Sequence, residues 1–118
     1  MGASIGRWLV LNGVTCTAAG TQTSNAVKIP SNADGNFSLK YSMGAGGGTA
    51  KFEALFCDTE TGTFIEPAAM GDIVTGCTAS TSGIVSFSPP VIRGWIKIRM
   101  AETASATSIV GTARLMMQ

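Results

Sequence analysis

Seven carboxylates, three cysteines and abundant Ser and Thr are the chain's candidate reactive groups, and it contains no histidine. Without an imidazole, the usual base for a hydroxyl nucleophile is missing. Paired carboxylates could support glycoside hydrolysis if Glu53 and Glu66 faced each other across sheets. The simpler expectation puts Glu53 on a solvent face opposite Lys51 and Lys97. Cys16, Cys57 and Cys77 lack metal-ligand spacing, and their odd number predicts free thiols, with a Cys57–Cys77 bridge as the alternative. Asn32, Asp34 and Asn36 are spaced as in a calcium loop, but no Glu closes the site, so a turn is expected. The glycine-rich run before Lys51 lacks Gly-Lys-Ser/Thr and leads into a strand, so it is expected to be a hairpin connection rather than a phosphate loop. Asn36-Phe37-Ser38 matches a glycosylation sequon and is given no role. No catalytic, cofactor-binding or metal-binding residue is expected, and the chain is read as non-enzymatic.

The elements that would carry binding residues are strands. In the run 93–101, Ile96, Ile98 and Met100 alternate with Trp95, Lys97 and Arg99. Residues 36–43 alternate Phe37, Leu39, Tyr41 and Met43 against Ser38, Lys40 and Ser42. Residues 49–57 alternate Ala50, Phe52, Ala54 and Phe56 against Lys51, Glu53, Leu55 and Cys57. These two runs, joined by residues 44–48, are expected to form a hairpin. Further strands are expected at 6–14, 26–29, 63–66, 72–74, 84–88 and 108–117, with loops at 16–25, 75–83 and 102–106 and at most one helical turn at 67–71. The first strand has apolar residues on both faces, Leu9 and Leu11 against Trp8 and Val10, and is expected to be covered on both sides. The last stays apolar through Met117, so it is expected to be paired, with Leu115 deeply buried. No apolar stripe has helical spacing. The expectation is one all-β domain over residues 1–118: an antiparallel β-sandwich, jelly-roll-like, of eight or nine short strands, with a β-barrel as the alternative.

Composition narrows the partners. Charged residues are 13% of the chain and the formal net charge is +1, which provides no strong field for nucleic acid or an anionic membrane. No run approaches the 18 or so apolar residues of a membrane-spanning helix. Trp8-Leu9-Val10-Leu11 after Arg7 is too short for a signal-peptide core, and Cys16 lacks the lipoprotein context, so synthesis in the cytoplasm is expected. Low charge with 45% hydrophobic residues suits a surface covered by neighbouring subunits. Trp8, Trp95 and Tyr41 could stack on sugar rings, but such aromatics in β-sandwiches more often anchor a core or an interface. The candidate interface residues are Trp8, Val10, Trp95, Lys97 and Arg99.

Residues 36–118 resemble small structural proteins of tailed-bacteriophage virions. The resemblance rests on Gly48-Thr49-Ala50-Lys51-Phe52-Glu53, Phe64-Ile65-Glu66-Pro67, Asp72-Ile73-Val74-Thr75-Gly76, Val85-Ser86-Phe87-Ser88-Pro89, and Trp95-Ile96-Lys97-Ile98-Arg99 with Glu102-Thr103. It implies a β-sandwich repeated over the particle as a head decoration or cement protein, or as a neck or tail component. The implied partners are other virion proteins and further copies of the chain. A carbohydrate-binding module is the alternative from another class. The glycine-rich stretch and the three cysteines depart from the family pattern.

Overall fold

A computed structural model describes residues 6–68, 70–90, 93–105 and 107–118. Nine strands follow in chain order: β1 (Gly6–Cys16), β2 (Thr21–Thr23), β3 (Val27–Lys28), β4 (Phe37–Gly46), β5 (Ala50–Cys57), β6 (Val74–Cys77), β7 (Ser82–Phe87), β8 (Trp95–Glu102) and β9 (Ile109–Met117). They form two antiparallel sheets. The first runs β1-β9-β4-β7, and the second runs β2-β8-β5-β6 with β3 also paired to β8. The molecule is a β-sandwich, and the two separate sheets rule out the barrel.

The alternation explains the core. From β4 and β9, Phe37, Leu39, Ile109, Ala113, Leu115 and Met117 point inward and are essentially inaccessible. Phe52, Ala54, Ile96, Ile98 and Met100 meet them from the second sheet. Packing is tight enough that a Cβ on Gly111 of β9 would lie 2.5 Å from Met100 Sδ of β8.

Several strand expectations require correction. The runs containing β4 and β5 do not form a hairpin: β4 pairs with β7 and β9, while β5 pairs with β6 and β8. Their apolar faces meet across the core instead, with Tyr41 and Phe52 ring centroids 5.8 Å apart. The glycine-rich connection therefore carries the chain from one sheet to the other. Gly46 adopts φ 137°, and Gly48 fits between the Thr107 carbonyl and Glu102, where a Cβ would clash at 2.5 and 2.9 Å.

β1 is not covered on both faces. A bulge between Leu9 and Leu11 turns both Trp8 and Leu11 toward the core, leaving Leu9 49% exposed on an edge strand. The expected loop at 16–25 contains β2, and the loop at 75–83 is shortened by β6 and β7. The 63–66 run is reduced to one bridge, Ile65 to Phe56. A turn closed by Met70 N donating to Pro67 O stands at 67–71, in which Ala69 lies outside the described residues, as does Ala106 in the 102–106 connection.

Candidate functional site

The outer face of the second sheet is the most chemically differentiated surface. On β8, Trp95, Lys97 and Arg99 point outward beside Cys57, Leu55 and Glu53 of β5, their register partners. Alternation accounts for this placement: Lys51, Glu53 and Leu55 are the outward positions of a strand whose other face fills the core.

Glu53 lies on this outward face beside Lys51, as alternation predicts, but it is not solvated. It is 4% exposed, accepts a 2.9 Å bond from Arg99 Nε, and lies 3.7 Å from Lys51 Nζ. Lys51 also pairs with Asp72 at 3.3 Å. Glu66 completes the group, so Glu53, Glu66 and Asp72 each bring a carboxylate oxygen within 4.8 Å of the others. Burial raises the Glu66 pKa, and a hydrogen bond to Glu53 raises it further. Burial also pushes Glu53 upward, but hydrogen bonds from Arg99 and Glu66, with the nearby positive charges, hold it below the ordinary carboxylate value. The arrangement is a close group of carboxylates with opposite pKa shifts at Glu53 and Glu66, held beside two cations. Glu53 and Glu66 do approach each other, but on one outer face instead of across the sheets. Among the described residues these three carboxylates are the set that could hold a metal ion, and Lys51 and Arg99 already neutralise much of their charge.

The aromatic rings nearby are capped by cations. Lys28 Nζ lies 5.4 Å from the centroid of Trp95, its register partner across the β3–β8 pair, and Lys97 Nζ lies 4.5 Å from that of Phe64. Trp8 and Val10 are elsewhere, half-buried against the core from the edge of the first sheet. The five candidate interface residues thus divide: Trp95, Lys97 and Arg99 share a face, and Trp8 and Val10 do not join them. Tyr41, the other aromatic considered for sugar stacking, is half-buried against Phe52.

Glu102 was not singled out from sequence. Its carboxylate accepts backbone N–H bonds from Ala19, Thr49, Ala104 and Ser105 at 2.8 to 3.1 Å, and these bonds lower its pKa. Nothing in the spacing marks it, because two of its four donors, Ala19 and Thr49, come from distant connections. The other sequence candidates resolve simply. Asp34 Oδ1 accepts from Asn36 N and Nδ2, giving the expected turn. Gly47 N donates to Thr107 Oγ1 and Gly48 N to Ser108 O, so these glycine amides serve the inter-sheet crossing. Cys16, Cys57 and Cys77 are free thiols, with Cys16 and Cys77 buried.

Fold and face together define a two-sheet β-sandwich whose outer surface is built from ion pairs and covered rings. No family model matches the chain. No curated protein matches it either. Among solved structures it is similar to tripeptidyl peptidase 2, with a TM-score of 0.57 and 13% identity over 90% of this chain and 9% of that one. It is similar to the CBM22-1–GH10 modules of Clostridium thermocellum xylanase 10B complexed with xylohexaose, with a TM-score of 0.56 and 14% identity over 92% of this chain and 21% of that one. A third likeness is to the infectious bursal disease virus Gt strain structure, with a TM-score of 0.54 and 13% identity over 94% of this chain and 31% of that one. The chain therefore spans less than a third of each of these proteins, and the likeness is one of fold.

Proposed function

We propose that this chain is a non-catalytic structural protein of a tailed-bacteriophage virion, acting through many-copy protein–protein contacts, as a head decoration or cement protein. The observation that carries this reading over a sugar-binding one is the nature of the exposed apolar groups. Among the described residues, the large exposed hydrophobics are Leu9, Ile65 and Ile84, all aliphatic, while the half-buried Trp95 and Phe64 rings each have a lysine ammonium over them. A sugar platform needs an open ring face, whereas aliphatic side chains on a weakly charged surface suit contact with protein. The resemblance of residues 36–118 to phage virion proteins supplies the choice of particle, and the sandwich likeness to a virus structure is compatible with it. Other virion proteins and further copies of the chain are the partners, and the chain is made in the host cytoplasm before joining the particle.

Quantitative mass spectrometry of purified virions from a host carrying this gene tests the proposal. A copy number matching the symmetry of the shell is expected, and a few copies would indicate the neck or tail instead. Absence from particles, together with retardation of the purified chain in a xylan-containing native gel, would establish the carbohydrate-binding alternative.

A further inference from the structure

The outer face of the first sheet carries cations that make no ion pair among the described residues. Leu9, Arg114, Lys40 and Ile84 are consecutive register partners across β1, β9, β4 and β7. One rank thus spans the sheet with two cations at its centre and an aliphatic residue at each end, Leu9 49% and Ile84 65% exposed. The next rank is Arg7, Met116, Ser38 and Ser86. Arg7, Lys40 and Arg114 are exposed, and among the described residues none of them makes an ion pair. Directly opposed like charges destabilise a sheet pair, so the Lys40–Arg114 juxtaposition is a local cost that no ion pair among the described residues offsets. No carboxylate occupies an outward position in these ranks. Asp34 precedes β4 in a turn, and its Oδ1 is engaged by Asn36.

The complementary pattern lies on the other sheet. Asp58 and Glu60 stand exposed in the turn after β5 and make no ion pair among the described residues. At the base of that turn Ile65, 65% exposed, bridges to Phe56. Two carboxylates beside an aliphatic residue match two cations flanked by aliphatic residues.

We infer that the outer face of the β1-β9-β4-β7 sheet receives the acidic 58–62 turn of a second copy of this chain, head to tail. An isologous pairing of the cationic face with itself would oppose like charges, so the contact is heterologous, the kind that propagates into rings or open arrays. Four strands at about 4.8 Å spacing and about eight residues at 3.4 Å rise give a face on the order of 500 Å². That is less than the roughly 800 Å² per partner of a standard stable interface. The contact is therefore weak singly and gains strength by repetition. A nucleic-acid partner fits less well, because the outward ranks offer no aromatic residue on which bases could stack.

This inference rests on the assembly reading and names one of its contacts. Sedimentation velocity over a range of protein concentrations, at low and high salt, tests it. The intact chain is expected to associate with concentration and to dissociate in salt. The double variants Lys40→Glu/Arg114→Glu and Asp58→Lys/Glu60→Lys should each lose association about tenfold or more, and an equimolar mixture of the two should recover it. Leu9→Ser/Ile84→Ser should weaken association while leaving the charges in place. Circular dichroism and melting of each variant establish that it is folded. A chain monomeric at every concentration, association indifferent to both reversals, or no recovery on mixing would overturn the inference. Binding of a single-stranded DNA probe that Lys40→Glu/Arg114→Glu abolishes, without self-association, would reassign the face to nucleic acid. A monomeric chain that still occupies purified virions sinks this contact and spares the assembly reading, and an associating chain absent from virions does the reverse.

Discussion

The carboxylate of Glu102 receives four backbone N–H groups, from Ala19, Thr49, Ala104 and Ser105, and so ties the 17–20 turn and the glycine-rich crossing to the end of β8. Those bonds favour the ionised form and lower its pKa from 4.5. A lowered folded pKa contributes stability that is present above the unfolded value and is lost as pH falls through the folded one. Glu102→Gln is therefore expected to lower the melting temperature at neutral pH, with the gap to the unmodified chain closing in acid. Melting curves from pH 7 to strong acid check this, and a constant gap would show that ionisation is irrelevant there. Glu66 behaves oppositely. Its pKa is raised by burial and by Glu53, so its contribution is present below 4.5 and is lost as pH rises through the folded value. Glu66→Gln keeps a donor toward Glu53 without the charge. It should raise the neutral-pH melting temperature by about 1 to 4 °C, the equivalent of a partly exposed charge pair. No gain at neutral pH would mean that the Glu66 charge is not disfavoured in the folded chain. Neither carboxylate's environment could be read from sequence. Lys51 and Glu53 sit two apart on one strand face, but Arg99, Glu66 and Asp72 reach them only through pairing register and turn geometry.

At the scale of elements, periodicity was the legible signal and partnership was not. The outward placement of Trp95, Lys97 and Arg99 and the inward row of β9 are both expected from period-2 alternation, and the structure has both. The pairing of β4 departs from the expected hairpin because two adjacent alternating runs around glycines fit a hairpin and a crossing between sheets equally well. Gly48 discriminates between them, since its backbone is wedged against the Thr107 carbonyl. Gly48→Ala should then cost about 1 to 3 kcal/mol, the scale of overpacking a filled site. An unchanged denaturation midpoint would show that the crossing is loose. β9 lies between β1 and β4, and Leu115 pairs with both Trp8 and Leu39 while remaining fully buried. Leu115→Ala should cost about 2 to 5 kcal/mol by lost transfer energy and the cavity left behind. A loss under 1 kcal/mol in urea denaturation would mean that the sheet collapses around the gap.

The whole molecule has one core lined by both sheets, and the chain crosses between them at β1–β2, β3–β4, β4–β5, β6–β7, β7–β8 and β8–β9. Neither sheet can keep its apolar face dry without the other, so the two should unfold together. The two tryptophans provide independent reporters, because Trp8 belongs to the first sheet and Trp95 to the second. Trp95→Phe leaves fluorescence from the β1 edge, and Trp8→Phe leaves it from the outer face of β8. In urea, each single-tryptophan variant should give a fluorescence transition coincident with its own far-ultraviolet circular dichroism. Coincidence would describe a rigid tile that presents its two outer faces in a fixed relation, as a repeated head-to-tail contact requires. An earlier fluorescence midpoint in the Trp8-only protein would instead mean that β1 leaves the sheet before the core melts. The Leu9 end of the cationic rank would then be the least stable part of that face, and a neighbouring copy bound there would suppress its opening.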